Sequence, residues 1–91
     1  MNLTDKISVL PQVVARAVGK ETVLLDLASG TYFGLDPVGS RIWQLMEENK
    51  TLAEICDVMI EEYEVSREEL ERDVLALLRQ LADKQLVTVI E

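Results

Sequence analysis

Seventeen acidic side chains, one thiol and no imidazole are the reactive inventory of this 91-residue chain. The carboxylates include the adjacent pairs Glu47-Glu48, Glu61-Glu62 and Glu68-Glu69. General acid–base work needs carboxylates that converge in an occluded pocket with shifted pKa values. Neighbours on a helix instead point about 100° apart, so these pairs read as solvated helix faces. A calcium loop needs alternating oxygen ligands around a central glycine, and residues 57–64 have no glycine. Cys56 has no histidine to activate it. Alone, it can close no internal disulfide and build no thiolate zinc site. It falls on an apolar stripe and reads as a core thiol, as Trp43 reads as a core anchor. Gly30, Gly34 and Gly39 are too widely spaced for a phosphate loop, and no glycine–lysine–threonine signature follows them. The expectation is a protein with no catalytic residue, no metal site and no cofactor, which makes a binding module the leading class.

The elements that carry these residues change period along the chain. Residues 13–18 and 21–28 alternate as strands, separated by Gly19-Lys20. Ser29-Gly30 makes a turn in which Gly30 can supply positive φ. Thr31, Tyr32 and Phe33 then favour a third, short strand, which gives a three-stranded antiparallel meander. Asp36-Pro37 is an N-cap followed by proline at the first helical position. This first helix carries Val38, Ile42, Leu45 and Met46 on one stripe and stops near Asn49. Thr51 with Glu54 is a capping box, followed by Leu52, Ile55, Cys56, Met59 and Tyr63 at helical spacing. Ser66 with Glu69 predicts a second box, opening the longest helix with Leu70, Val74, Leu77, Leu78 and Leu81 on one face. Residues 86–90 are β-prone and can form a short C-terminal strand, paired within the chain or with a second copy. The fold class is α+β and winged helix-turn-helix-like: a three-stranded antiparallel N-terminal sheet, three helices and that optional final strand. One domain over residues 1–91 is expected.

Composition narrows the partners. Hydrophobic residues make up 48% of the chain, which excludes a disordered acidic tail. The net charge of −8 opposes nucleic-acid binding, and the segment 51–63 offered as a second helix has four acidic residues and no basic one. No run of about 18 apolar residues spans a membrane, and the amino end lacks a signal h-region. The unpaired thiol fits a cytoplasmic, reducing compartment. What remains is the third predicted strand. As a sheet edge it can accept an extended peptide as an added strand. The groove would lie against the long third helix, with Arg72, Asp73, Ala76, Arg79 and Gln80 on its flank. The plainer reading is that Tyr32 and Phe33 plug the sheet onto the helices. A winged-helix transcriptional regulator and a small dimerising subunit are readings of other classes.

The stretch LLDLASGTYFGLDPVGSRIWQLM, with Tyr63-Glu64-Val65, Asp73-Val74, Leu77-Leu78, Leu81 and Leu86-Val87, resembles the PqqD-like family of precursor-recognition elements. It is most like the small standalone members of lasso-peptide clusters. The likeness runs over about residues 9–90. Gln85 departs from it, since glycine commonly precedes the final Leu-Val. The proline–glutamate–glycine turn of the pyrroloquinoline quinone branch is also missing, which leaves PqqD proper in quinone biosynthesis as an alternative. The resemblance implies a non-catalytic peptide chaperone that binds the leader region of a ribosomally made precursor. The leader would add as a strand along Thr31, Tyr32, Phe33, Gly34 and Leu35. Asp73, Ala76, Leu77 and Gln80 would form the helical wall, with Arg72 and Arg79 at its margins. The implied partners are the leader peptide and a modifying enzyme or leader peptidase, with neither nucleic acid nor membrane involved.

Overall fold

A computed structural model describes residues 1–90. In chain order the elements are β1 (Lys6–Val9), β2 (Val13–Val18), β3 (Glu21–Asp26), β4 (Thr31–Leu35), α1 (Pro37–Glu47), α2 (Leu52–Met59), α3 (Arg67–Asp83) and β5 (Val87–Ile90). The expected meander is present as a three-stranded antiparallel sheet in the order β2-β3-β4. The final strand also forms, and it pairs inside the chain. Its partner is β1, antiparallel from Lys6↔Ile90 to Val9↔Val87. The sequence reading missed β1, because four residues carry little periodicity and their partner lies about eighty positions away. Four strands therefore precede the helices, not three.

Local chemistry sets the element ends. The β3–β4 turn starts at residue 27, earlier than the expected end of the second strand. There the Asp26 carboxylate accepts hydrogen bonds from the Ala28 amide (3.1 Å) and the Ser29 hydroxyl (2.8 Å), and Gly30 sits at φ +73°. Asp36 caps α1 by accepting from the Gly39 amide at 2.7 Å. At α2 the capping box is complete in both directions between Thr51 and Glu54. The bonds from the Thr51 backbone and hydroxyl hold the Glu54 carboxyl below its usual range. At α3 the expected second box is only half made. Ser66 accepts from the Glu69 amide at 3.1 Å, with no return bond from the Glu69 side chain. The second helix stops at Met59, short of Tyr63, and residues 60–66 form the connection to α3.

The α3 C-terminus explains the unusual Gln85. The Leu86 amide bonds the Leu81 carbonyl at 3.0 Å and the Gln85 amide bonds Ala82 at 2.9 Å. This pair of bonds is a Schellman motif, and it places Gln85 at φ +60°. Glycine suits that conformation, and glutamine holds it at a cost of about 1 kcal/mol.

Leu24, Leu45, Leu52, Ile55, Cys56, Met59, Val74, Leu78 and Leu81 are sealed in one core shared by the sheet and all three helices. Each such side chain contributes about 1.5–3 kcal/mol. An exposed ion pair contributes about 0–1 kcal/mol, so burial decides the fold. Cys56 is fully buried, and burial pushes its thiol pKa up. Trp43 is a core residue at 2% exposure. The paired glutamates all lie exposed on the surface. Arg67 joins α2 to α3 by donating to Asp57 (2.6 Å), Glu71 (2.8 Å) and the Ala53 carbonyl (3.2 Å). These carboxylates raise its pKa. Arg41 grips Glu62 through two bonds, at 2.9 and 2.7 Å, tying the α2–α3 connection to α1.

Candidate peptide-binding cleft

Among the described residues β4 pairs with β3 alone, so its other side is a free sheet edge. The Leu27 amide donates to the Gln12 carbonyl at 2.9 Å, one step beyond the Val13↔Asp26 pair. Antiparallel strands alternate hydrogen-bonded and non-bonded pairs. The backbones of Val23 and Leu25 therefore face β2, and those of Thr22, Leu24 and Asp26 face β4. Through the register Thr22↔Leu35, Leu24↔Phe33 and Asp26↔Thr31, Thr31, Phe33 and Leu35 spend their backbone groups on β3. Tyr32 and Gly34 turn theirs outward, offering two N–H and two C=O groups to an incoming strand.

Side chains alternate with the backbone. Leu35 is buried and Phe33 half-buried against the helices, whereas Tyr32 is 72% exposed on the outer face of the sheet. Only Phe33 of the aromatic pair joins the sheet to the helices. Beside this edge lies an open cleft of about 500 Å3, lined by Phe33, Gly34, Leu35, Asp36, Val38, Gly39, Ile42, Asp73 and Leu77. A second recess continues along β4, where Thr31, Tyr32 and Phe33 meet Asp26, Ser29, Lys84, Gln85 and Leu86. The floor is apolar and the rim charged.

The structure thus brings the expected Phe33, Gly34, Leu35, Asp73 and Leu77 into one cleft, and Thr31 and Tyr32 into its continuation. Arg72, Ala76, Arg79 and Gln80 are exposed on α3 and line neither recess. The first turn of α1 was missed as a wall. Asp36, Val38, Gly39 and Ile42 reach the cleft because a single residue, Asp36, separates β4 from α1. The Ser40 hydroxyl bonds back to the Leu35 carbonyl at 3.3 Å. A Cβ on Gly39 would lie 3.2 Å from the Asp36 carboxylate and 3.5 Å from Leu35, so the junction is closely packed. The available signal was Val38, four residues before buried Ile42 on the same stripe yet 39% exposed. Lys84 was missed as well. It follows Leu77 by seven residues on the same helical face, and its ammonium lies over Phe33.

Among the described residues no three His, Cys, Asp or Glu side chains are grouped to hold a metal ion, and no helix is long and apolar enough to cross a membrane. The cleft presents backbone hydrogen-bonding groups and apolar surface, which suit an extended peptide.

Two solved structures share this architecture. TbiB1 in complex with the TbiA(beta) leader peptide is 50% identical, with a TM-score of 0.85 over 88% of this chain and 93% of that one. A lasso peptide synthetase B1 complexed with the leader peptide is 28% identical, with a TM-score of 0.86 over 91% and 98% of the two chains. No curated protein matches the sequence. The family described as coenzyme PQQ synthesis protein D (PqqD) matches residues 21–87. That stretch runs from the start of β3 to the first residue of β5 and contains every wall of the cleft: the chain belongs to the PqqD family.

Proposed function

We propose that this protein binds the leader region of a ribosomally synthesised precursor peptide, of the lasso-peptide kind, as a fourth strand on β4. The observation that carries the reading is the outward-facing backbone of Tyr32 and Gly34 along the rim of an apolar cleft. Main-chain bonds give affinity for an extended segment, and pockets for alternate side chains give specificity. Phe33, Leu35, Val38 and Leu77 supply the pocket, with Asp73 at its margin. Thr31 continues the edge, while Ala76, Gln80, Arg72 and Arg79 flank the helical wall. The two leader-bound structures of this fold, one of them 50% identical, support the same occupant.

The protein works as a single domain over residues 1–91 and carries no chemistry itself. It holds the leader extended and presents the adjoining core region to a separate modifying enzyme or leader peptidase. Tethering raises the local concentration of substrate at that active site. A reducing cytoplasm is the setting that suits its one unpaired thiol, Cys56.

Titrating the TbiA(beta) leader peptide into isotope-labelled protein tests the reading. Amide shifts should concentrate on residues 31–35, on the first turn of α1 and on residues 72–84. Shifts confined to α2 or to β2, with none on β4, would remove the proposed site.

A further inference from the structure

The cleft is electrically polar along its length. Asp36 and Asp73 line the end beside Leu35, and Lys84 lines the end beside Thr31 together with Asp26, whose carboxylate is taken up by the Ala28 amide and the Ser29 hydroxyl. Asp73 and Lys84 are eleven residues apart, or about three turns, which returns them to the same helical face within about 20°. Neither belongs to any of the ion pairs among the described residues. Arg72 and Arg79 line neither recess, so Lys84 is the cation that a bound peptide meets. Its reach along the strand is set by Phe33, since its ammonium lies 5.4 Å from that ring.

Direction follows from the sheet. Every strand pair among the described residues is antiparallel, and antiparallel pairing is the more stable per residue. β4 runs from the Lys84 end toward the Asp73 end. A strand added antiparallel to it therefore enters the cleft beside Asp73 and leaves beside Lys84. The Cα separation along α3 is about 16 Å, and the lysine side chain leans back toward Phe33. Strand residues advance about 3.4 Å each, and only even separations place two side chains on the helix-facing side. A separation of about four residues meets both conditions.

We propose that the groove reads charge order: it prefers peptides with a cationic side chain followed about four residues later by an anionic one. This rests on the strand-addition reading above and assigns Asp73 and Lys84 as the residues that fix direction and register. Charge pairs at such a rim set specificity and on-rate more than raw affinity.

The test uses the TbiA(beta) leader peptide as a scaffold. A Lys…Glu pair, a Glu…Lys pair and a neutral Gln…Gln pair, each four residues apart, are moved along it one position at a time. Binding is followed by fluorescence anisotropy and by the amide shifts of residues 31–35. In the best register, Lys-first should bind about fivefold tighter than Glu-first at low salt. The difference should shrink to under about twofold near 0.5 M salt. The doubly reversed protein, Asp73→Lys with Lys84→Glu, should prefer Glu-first. Equal affinity for both orders, with the β4 shifts intact, overturns the charge-order proposal and leaves leader binding standing. A Lys-first preference that persists in the reversed protein overturns it too. If no peptide of the set shifts β4, the strand-addition reading falls and the charge order with it.

Discussion

The ammonium of Lys84 stands 5.4 Å from the centroid of the Phe33 ring, linking the last residue of the α3 cap to the middle of the free edge strand. Such a contact contributes about 0.5–1 kcal/mol when exposed, far less than the core beneath it. Its importance is positional. It holds one aromatic face and one charge at the point where β4 has two outward-facing residues, and the first three predictions below start from the neighbours of that point.

Gly34 separates backbone bonding from side-chain packing. A Cβ there would meet nothing within 4 Å, so Gly34→Ala should fold normally and still bind the TbiA(beta) leader. Gly34→Pro should also fold, because edge strands tolerate proline where the N–H faces outward. It removes one outward donor and places a ring where the guest strand must pair. Leader affinity measured by calorimetry should fall at least about tenfold in the proline variant, equivalent to about 1.4 kcal/mol, and change little in the alanine one.

Leu77 is only half-buried, on the cleft side of α3. Leu77→Asp should leave the circular dichroism spectrum intact and cost about 1–3 kcal/mol of stability. Leader binding should be lost, because an unpaired carboxylate would occupy the apolar floor. Phe33→Asp should behave in the same way. A folded variant with unchanged affinity would put the groove elsewhere.

Gln85 adopts left-handed backbone that most side chains avoid. Replacing it with glycine should raise the urea midpoint by an amount equivalent to about 0.5–1 kcal/mol, since the Schellman bonds from residues 85 and 86 are retained. Asn49, at φ +65° after α1, is already among the residues that tolerate this region. Asn49→Gly should therefore gain less.

Two carboxylates give stability a dependence on acid. Bonds from Thr51 hold Glu54 below its usual pKa, and the Arg41 guanidinium does the same for Glu62. Their contributions are complete above the unfolded carboxylate range and disappear as pH falls through the lower folded values. Urea midpoints followed downward from pH 6 should drop less steeply in Glu54→Gln and Glu62→Gln than in the parent. Thr51→Ala, which removes the cap itself, should cost about 1 kcal/mol at neutral pH.

Burial keeps the Cys56 thiol protonated and out of reach. A thiol-specific reagent at neutral pH should label it only at the rate of global opening, and at once in concentrated urea. Fast labelling of the native protein would show that the α2–α3 packing opens locally.

How much of this was legible in the sequence depended on range. Asp36-Pro37, Thr51 with Glu54, and Gly30 act within a few residues of themselves, and each stands where its pattern placed it. The end of α2 was overrun, because Tyr63 continues the apolar spacing of Met59 although the chain has already left the helix. The Ser66–Glu69 pair kept the spacing of a box but made only one bond, since spacing cannot say where a glutamate side chain will point. β1 could not be read, because its stability comes from a strand at the far end of the chain. For the cleft, the edge strand and Asp73 followed from local patterns, and Leu77 entered the wall only through the family resemblance. The α1 wall and Lys84 did not. They depend on how a helix start and a helix end dock against one strand, which is tertiary information.

Because Lys6 sits opposite Ile90 in the β1–β5 ladder, the two ends of the fold are neighbours. A short linker across them would make a ring that could be reopened at the Gly19-Lys20 hairpin tip. There Gly19 has φ +64° and open space around it. Such a circular permutant would carry its new ends at the tip that joins β2 to β3, with β4 itself left uncut.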